Sequence, residues 1–372
     1  MRLIKLMLAA SVAVCAFASC NKQETTPISK RLKTVEVSLE NVVISKAVAA
    51  DKIKAGDAVV VNDLKIFLTD DAGNEYTAKE ENGVDVAPSY FQGLPNEKVA
   101  TFHYVDPNCT KVVAVANLGK DITFAEYTEG LEDLDIDVQQ DPKALVLYDD
   151  ATLVGPDGEH NDANSDGTTY LSPVYKAELT LTPRVSRFEV DGFVVNFNDE
   201  PKYEEINITQ LAFTNYYQKT TVVEGTESES ELVNHIADFA NQAEVYAWLD
   251  NEETGWYRDS FDITITPEDN TADTPDPLAY PIFSCEKTPV MVIKLYADGQ
   301  PAYLYSKGFY TEAGEEVTEF EEGKIYRMSA AGDALGDGSI PIDEDDIDPM
   351  DRCLEITVEV IKWAVELVYP EF

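Results

Sequence analysis

Along most of this chain, apolar and polar residues alternate with a period of two, the signature of half-buried β-strands. In Thr34 to Ile44, Val35, Val37 and Leu39 alternate with Glu36, Ser38 and Glu40. Ala58 to Thr69 is built on Val59, Val61, Leu64, Ile66 and Leu68, and the turn Asp70-Asp71-Ala72-Gly73-Asn74 offers it a hairpin partner through Tyr76. Lys98 to Tyr104, Ala144 to Tyr148, Tyr175 to Thr182 and Arg184 to Phe197 follow as strands, and Lys111 to Asn117 reads as a continuous apolar run of the buried kind. In the second half, strands are predicted at Ile206 to Thr214, Tyr216 to Val223, Tyr257 to Thr266, Pro289 to Ala297, Gln300 to Tyr310 and Gly323 to Met328. Two helices are predicted, at Phe124 to Leu134 and at Ser230 to Asn241. The second carries Leu232, Ile236 and Phe239 on one face, behind a Ser228/Glu231 capping box. Short strands between Gly, Asn, Asp and Pro turns predict an all-β chain of sandwiches.

The last stretch alternates in two registers. Leu354, Ile356, Val358 and Val360 share one parity; Ile361, Trp363, Val365 and Leu367 share the other. A one-residue slip sends the apolar set to the opposite face, so a bulge or break is expected near Val360–Ile361. The acidic run Asp343-Glu344-Asp345-Asp346-Ile347-Asp348-Pro349 precedes it and is expected to stay solvated. An apolar strand behind such a linker either returns to its own sheet or pairs with another molecule.

Length and charge narrow the partners. The 372 residues favour two domains. Seventy acidic against 28 basic residues give a formal charge of -42, which repels nucleic acid and anionic membrane surfaces. With 44% hydrophobic residues, wholesale disorder is not expected. Met1 to Cys20 has the form of a targeting segment: Arg2 and Lys5 form a charged start, Leu6 to Ala18 an apolar core. Phe17-Ala18-Ser19-Cys20 resembles a bacterial lipobox with Cys20 as the acylated residue; an ordinary secretory signal cut near Ala18 is the plainer alternative. Cys109, Cys285 and Cys353 then remain, with no metal-like spacing, and buried free thiols are the preferred reading.

Catalytic chemistry is not indicated. His103, His160 and His235 have no nucleophile context, and G-x-S-x-G, P-loop and H-E-x-x-H patterns do not occur. One loop, Asp162-Ala163-Asn164-Ser165-Asp166-Gly167, matches the first half of a calcium-binding loop, so Asp162, Asn164 and Asp166 are candidate ligands for a structural calcium. Pro173 stands where an EF-hand has its closing Glu, and a solvated loop with Asx-turns is the preferred reading. No other cofactor is expected. Ser45 to Lys52 is small and locally basic and reads as an accessible protease site or a plain loop.

Taken in order, several motifs resemble the fimbrillins of Bacteroidales, the FimA-like or type V pilins. They are Phe17-Ala18-Ser19-Cys20, Val35-Glu36-Val37-Ser38-Leu39, Lys46-Ala47, Leu64-Lys65-Ile66-Phe67-Leu68, Val112-Val113-Ala114-Val115-Ala116-Asn117, Arg184-Val185-Ser186-Arg187-Phe188 and Val358-Glu359-Val360-Ile361-Lys362-Trp363. The resemblance spans the chain, and its specificity lies in the order of motifs that are individually weak. It implies two tandem transthyretin-like Greek-key β-sandwich domains with a C-terminal donor-strand extension. The implied divisions are a lipoprotein signal peptide at 1–20, a propeptide at 21–46, β-sandwiches at 47–183 and 184–330, an acidic linker at 331–353 and a donor strand at 354–372. It further implies export as a lipoprotein through Cys20, residence at the outer membrane and cell surface, and maturation by cleavage between Lys46 and Ala47. The family's best-known members have Arg at the cut, which this chain replaces with Lys; Arg31 is the weaker candidate, since a cut there leaves the strand attached. Polymerisation would follow with like subunits and accessory fimbrial subunits, in support of adhesion. The donor residues implied are Leu354, Ile356, Val358, Val360, Ile361, Trp363, Val365 and Leu367. A surface glycan-binding lipoprotein using Trp248 or Trp256, and a tip or anchor subunit that does not polymerise, are the competing readings.

Overall fold

The computed structural model describes residues 31–40, 42–45, 59–79, 85, 99–128, 134–141, 144–163, 169–222, 232–233, 247, 249–250, 257–284, 288–311, 313–329, 338–347, 353–362 and 365–368. The strands from the first half are β1 (Lys33–Leu39), β2 (Val42–Ser45), β3 (Val59–Val61), β4 (Leu64–Thr69), β5 (Glu75–Tyr76), β6 (Val99–Val105), β7 (Lys111–Ala116), β8 (Leu134–Asp135), β9 (Leu147–Thr152), β10 (Glu159–Ala163), β11 (Thr169–Leu179) and β12 (Thr182–Pro183). The second half adds β13 (Val185–Asn196), β14 (Ile206–Thr214), β15 (Tyr216–Tyr217), β16 (Lys219–Thr220), β17 (Leu232–Val233), β18 (Tyr257–Ile265), β19 (Thr271–Phe283), β20 (Val290–Ala297), β21 (Gln300–Thr311), β22 (Lys324–Ser329), β23 (Ser339–Asp343), β24 (Cys353–Lys362) and β25 (Val365–Val368). The fold is all-β, with several sheets in sandwich-like arrangement. Among the described residues no helix is long and apolar enough to cross a membrane.

Residues 33–183 build two sheets. One has the order β10-β11-β1-β6, the other β12-β9-β7-β4-β5. The apolar run of β7 lies between β4 and β9, and Val112 to Ala116 are all buried, as an interior strand requires. Val35, Val37 and Leu39 of β1 join these residues in one hydrophobic core.

Residues 185–362 build a nine-stranded sheet in the order β18-β14-β20-β21-β24-β22-β13-β19, with β23 also on β13. This sheet folds back on itself. Phe188 of β13 meets Phe213 of β14 at 5.2 Å between ring centroids and Phe309 of β21 at 5.1 Å, and Phe213 meets Tyr280 of β19 at 4.8 Å. Aromatic side chains therefore fill the space between its two arms. Strand β24 pairs with β21 on one side and β22 on the other, so it joins the arms. At the junction of the two halves Arg184 bonds Glu322 at 2.7 Å and lies over the Tyr148 ring.

Several expectations are corrected. Of the predicted helix over Ser230 to Asn241 only Leu232 and Val233 are described, and these are strand, paired as β17 with Tyr217 and Tyr216. A buried partner strand outweighs an amphipathic helical pattern in so short a stretch. The helix from Phe124 is described over Phe124–Thr128, residues 129–133 fall outside the described residues, and Leu134 belongs to β8 instead. No element is predicted at the 13-residue β19; it carries Pro275, Pro277 and Pro281 and lies at the end of the sheet order beyond β13, where prolines are tolerated. The ladder of β24 with β22 runs without a shift from Ser329↔Thr357 to Lys324↔Lys362, so the change of phase at Val360–Ile361 makes no bulge; of the bulge or break expected near it, the structure has a break, β24 ending at Lys362 and β25 starting at Val365 in another sheet. The irregularity of β24 is on its other side, between Ser306 and Gly308 of β21.

The acidic stretch is also not a plain solvated linker. Ser339–Asp343 is β23, parallel to β13, and Glu344–Ile347 is a 3-10 turn. Glu344 is 1% exposed because its carboxylate accepts the backbone N–H of Asn198 at 2.8 Å and of Lys202 at 2.9 Å. Two amide donors replace the water that a buried carboxylate would lose.

Candidate functional site

The residues singled out for assembly lie at the two ends of the chain. At the N-terminal end, β1 is an interior strand. Its backbone pairs in parallel with β11 from Thr34↔Val174 to Leu39↔Leu179, and antiparallel with β6 from Lys33↔Val105 to Ser38↔Val99. The alternation in its sequence becomes alternation of environment: Val35, Val37 and Leu39 are at most 2% exposed, while Glu36 and Ser38 are half-buried. Burying three such side chains contributes roughly 5–9 kcal/mol.

Polar contacts hold the start of the same strand. Thr34 Oγ1 and Ser172 Oγ share a 2.7 Å hydrogen bond, and Arg31 pairs with Glu159 at 3.6 Å. Lys33 Nζ donates to the carbonyl oxygen of Pro107 at 3.3 Å and to that of Cys109, and lies 4.6 Å from the centre of the Tyr175 ring. Burial pulls the Lys33 ammonium below its ordinary value, with Cys109 and Asp106 opposing the shift. Burial pushes the Cys109 thiol up to about 11, against the pull of Lys33. His103 of β6 and His160 of β10 stand 4.9 Å apart between ring centroids, although their strands are the outer two of the four-stranded sheet. The sheet is thus curled tightly around β1 and β11.

At the C-terminal end the chain occupies two different sheets. Leu354, Ile356 and Val358 are buried in β24, with Glu355 exposed and Thr357 and Glu359 half-buried between them. This register has returned to the chain's own sheet. Val360 and Ile361 continue the β24 ladder opposite Tyr326 and Ile325. Val365 and Leu367 lie in β25, the middle strand of a three-stranded parallel sheet, β2-β25-β3. The sequence pattern gave no sign of that pairing, because four-residue strands from opposite ends of the chain carry no local signal for each other.

The remaining candidates are not brought together with these. Asp162 lies in β10 opposite Tyr170, near the end of the β10–β11 pairing at Ala163↔Thr169. Cys20, Lys46, Ala47, Asn164, Asp166, His235, Trp248, Trp256, Cys285 and Trp363 fall outside the described residues. Among the described residues no group of three or more His, Cys, Asp or Glu could hold a metal ion. A feature that sequence reading missed is the buried charge cluster of the second half: Glu189 is bound by Arg187 at 2.5 Å and by Arg327 Nη2 at 2.7 Å. Alternating charges on β13 and a single Arg on β22 were too faint a signal to place it.

No family model matches this chain, and no curated protein does. Solved structures do. A candidate cell adhesion protein from Parabacteroides distasonis is 14% identical, with 91% of this chain and 99% of that chain covered at a TM-score of 0.50. A fimbrilin from Porphyromonas gingivalis is 11% identical, with 92% and 100% covered at 0.49. The tip fimbrial protein Mfa3 of Porphyromonas gingivalis is 10% identical, with 89% and 99% covered at 0.40. At these identities the likeness to the first of them concerns the fold, over nearly the whole length of both chains.

Proposed function

We propose that this chain is a structural subunit of a surface fimbrium, exported as a lipoprotein through Cys20 and assembled by strand exchange after loss of its N-terminal strand. The observation that carries the reading is the place of β1. It is the first described strand, it precedes the candidate cut at Lys46–Ala47, and it is interior to its sheet. Its removal would open the edges of β11 and β6 together and uncover the groove filled by Val35, Val37 and Leu39. Unpaired strand edges are templates for a further strand. A strand from a neighbouring subunit would restore both ladders. Head-to-tail insertion does not close on itself, and so it makes a filament.

The C-terminal residues are the proposed donor, with a division of labour along them. Leu354, Ile356 and Val358 tie the segment to its own sheet through two ladders. Trp363, Val365 and Leu367, beyond the end of β24, are the part that moves to the neighbour. The fold resemblance to a candidate cell adhesion protein supports a surface role. The charge of -42 would keep unassembled subunits apart.

The test is limited proteolysis of the surface-displayed protein with trypsin. SDS-resistant ladders whose subunits begin at Ala47 are expected. Complete cleavage at Lys46 and loss of the released residues 21–46, with only monomers remaining, would reject the polymer and favour a non-polymerising tip or anchor role.

A further inference from the structure

The propeptide stretch touches both ends of the assembly apparatus. Within 33–45, β1 fills the groove between β11 and β6, and β2 lies in another sheet altogether. There Val42, Val43, Ile44 and Ser45 pair in parallel with Val365, Glu366, Leu367 and Val368. On its far side β25 pairs with β3, from Val365↔Val59 to Leu367↔Val61. The C-terminal strand is therefore held by two ladders, one from each side of the candidate cut.

We infer that β2 is an autoinhibitory clasp on the C-terminal strand, so that loss of one propeptide opens the acceptor groove and frees the donor strand together. The inference rests on the proposed function for the position of the cut. Residues 42–45 leave with the propeptide, whereas β3 stays with the mature chain. Strand β25 then passes from a middle strand with two ladders to an edge strand with one. A short edge strand opens far more readily than an enclosed one, and its free edge offers unpaired N–H and C=O groups. A nick at Lys46 does not suffice, because β1 and β2 remain paired in two separate sheets after the backbone is cut. Activation requires the whole strand pair to leave.

The clasp is tested by amide hydrogen exchange on residues 21–372, without any cleavage. Alternate N–H groups of an edge strand face its partner, so Val43→Pro is combined with Ile44→Pro, one of which must remove a ladder bond to β25, to break β2 while leaving β1 intact. Exchange at 365–368 is expected to rise by about tenfold or more, with 99–105 and 169–179 as slow as before. Unchanged exchange at 365–368 in that protein overturns the inference. A second measurement does not depend on how the variant folds. Protein cut at Lys46 and stripped of its propeptide receives a synthetic peptide of residues 33–45 or of residues 33–39. The longer peptide is expected to restore protection at 365–368, the shorter only at 99–105 and 169–179; equal restoration by both overturns the clasp. Stripped protein that exposes 365–368 yet never forms ladders supports the clasp and rejects the polymer. Ladders formed by a stripped monomer whose 365–368 stay protected do the reverse.

Discussion

The ammonium of Lys33, at the start of β1, donates a hydrogen bond to the main-chain carbonyl of Cys109, 76 residues away. The contact ties the first described strand to the turn ahead of β7. It places a fully buried thiol beside a strand proposed to leave, and Cys109 becomes a reporter of that departure. In the intact protein Cys109 is expected to resist thiol reagents, since burial excludes them and raises its pKa to about 11. After the propeptide is cut and stripped, labelling at Cys109, located by peptide mapping, is expected to accelerate by at least about tenfold. Equal labelling before and after would mean that β1 does not guard this thiol.

The same lysine gives the strand a pH dependence. Burial depresses the Lys33 pKa below its ordinary 10.5, so the bound strand carries fewer protons than the free peptide between the depressed value and 10.5. The stabilisation is full above 10.5 and is lost as pH falls through the depressed value. Lys33 should therefore strengthen the binding of a 33–45 peptide to stripped protein as pH rises through that window, while covering Cys109, whose pKa burial raises, acts in the opposite sense. Because Cys109 is common to both titrations, the Lys33 contribution is read as the difference in slope between the native peptide and Lys33→Met, followed by fluorescence anisotropy, with the native peptide gaining more as pH rises.

Val37 is the middle apolar residue of β1 and is 1% exposed. Val37→Ala is expected to cost about 2 kcal/mol through lost burial and the void left behind. In the add-back experiment this corresponds to roughly thirtyfold weaker peptide binding. Glu36→Ala, on the half-buried face of the strand, should change affinity by less than about threefold, so the pair of substitutions separates groove filling from backbone pairing.

Truncation should distinguish β24 from β25. Deleting 354–372 removes the strand that joins the two arms of the nine-stranded sheet and buries Leu354, Ile356 and Val358. The second half is expected to lose its cooperative thermal transition. Deleting 363–372 leaves β24 in place; the transition should persist, and polymer ladders should disappear. Retention of a native transition by the longer deletion would show that β24 is dispensable to the sheet.

Glu344 is the interior anchor of the acidic stretch. Glu344→Ala leaves the Asn198 and Lys202 amides without their carboxylate acceptor, and is expected to cost about 1–3 kcal/mol in urea unfolding. Asp345→Ala, which removes an exposed pair with Lys202, should cost less than about 1 kcal/mol.

Much of the fold was legible residue by residue. The period of two in β1 and β24 survives as a buried face and a more accessible one because a strand has no other way to satisfy it. The apolar run of β7 had to be enclosed on both faces, and it is. Less could be read where a residue's environment is supplied from far away. Proline-rich β19 was not predicted, and its place at the end of a sheet order, which tolerates its prolines, is not a local property. Glu344 looked solvated because the two amides that accept its burial lie more than 140 residues earlier.

The ends of the chain divide the matter most clearly. By itself, the sequence determined that Val35, Val37 and Leu39, and likewise Leu354, Ile356 and Val358, must lie on the buried faces of strands, since alternation dictates which side chains point inward. Only the tertiary structure decided which neighbours those strands have: β1 between β11 and β6, β24 between β21 and β22, and β25 between β2 and β3. The physical reason is that side-chain pattern selects a face, whereas strand partners are joined by backbone hydrogen bonds that are chemically alike at every residue. Their choice is settled by the register, length and packing of the whole sheet.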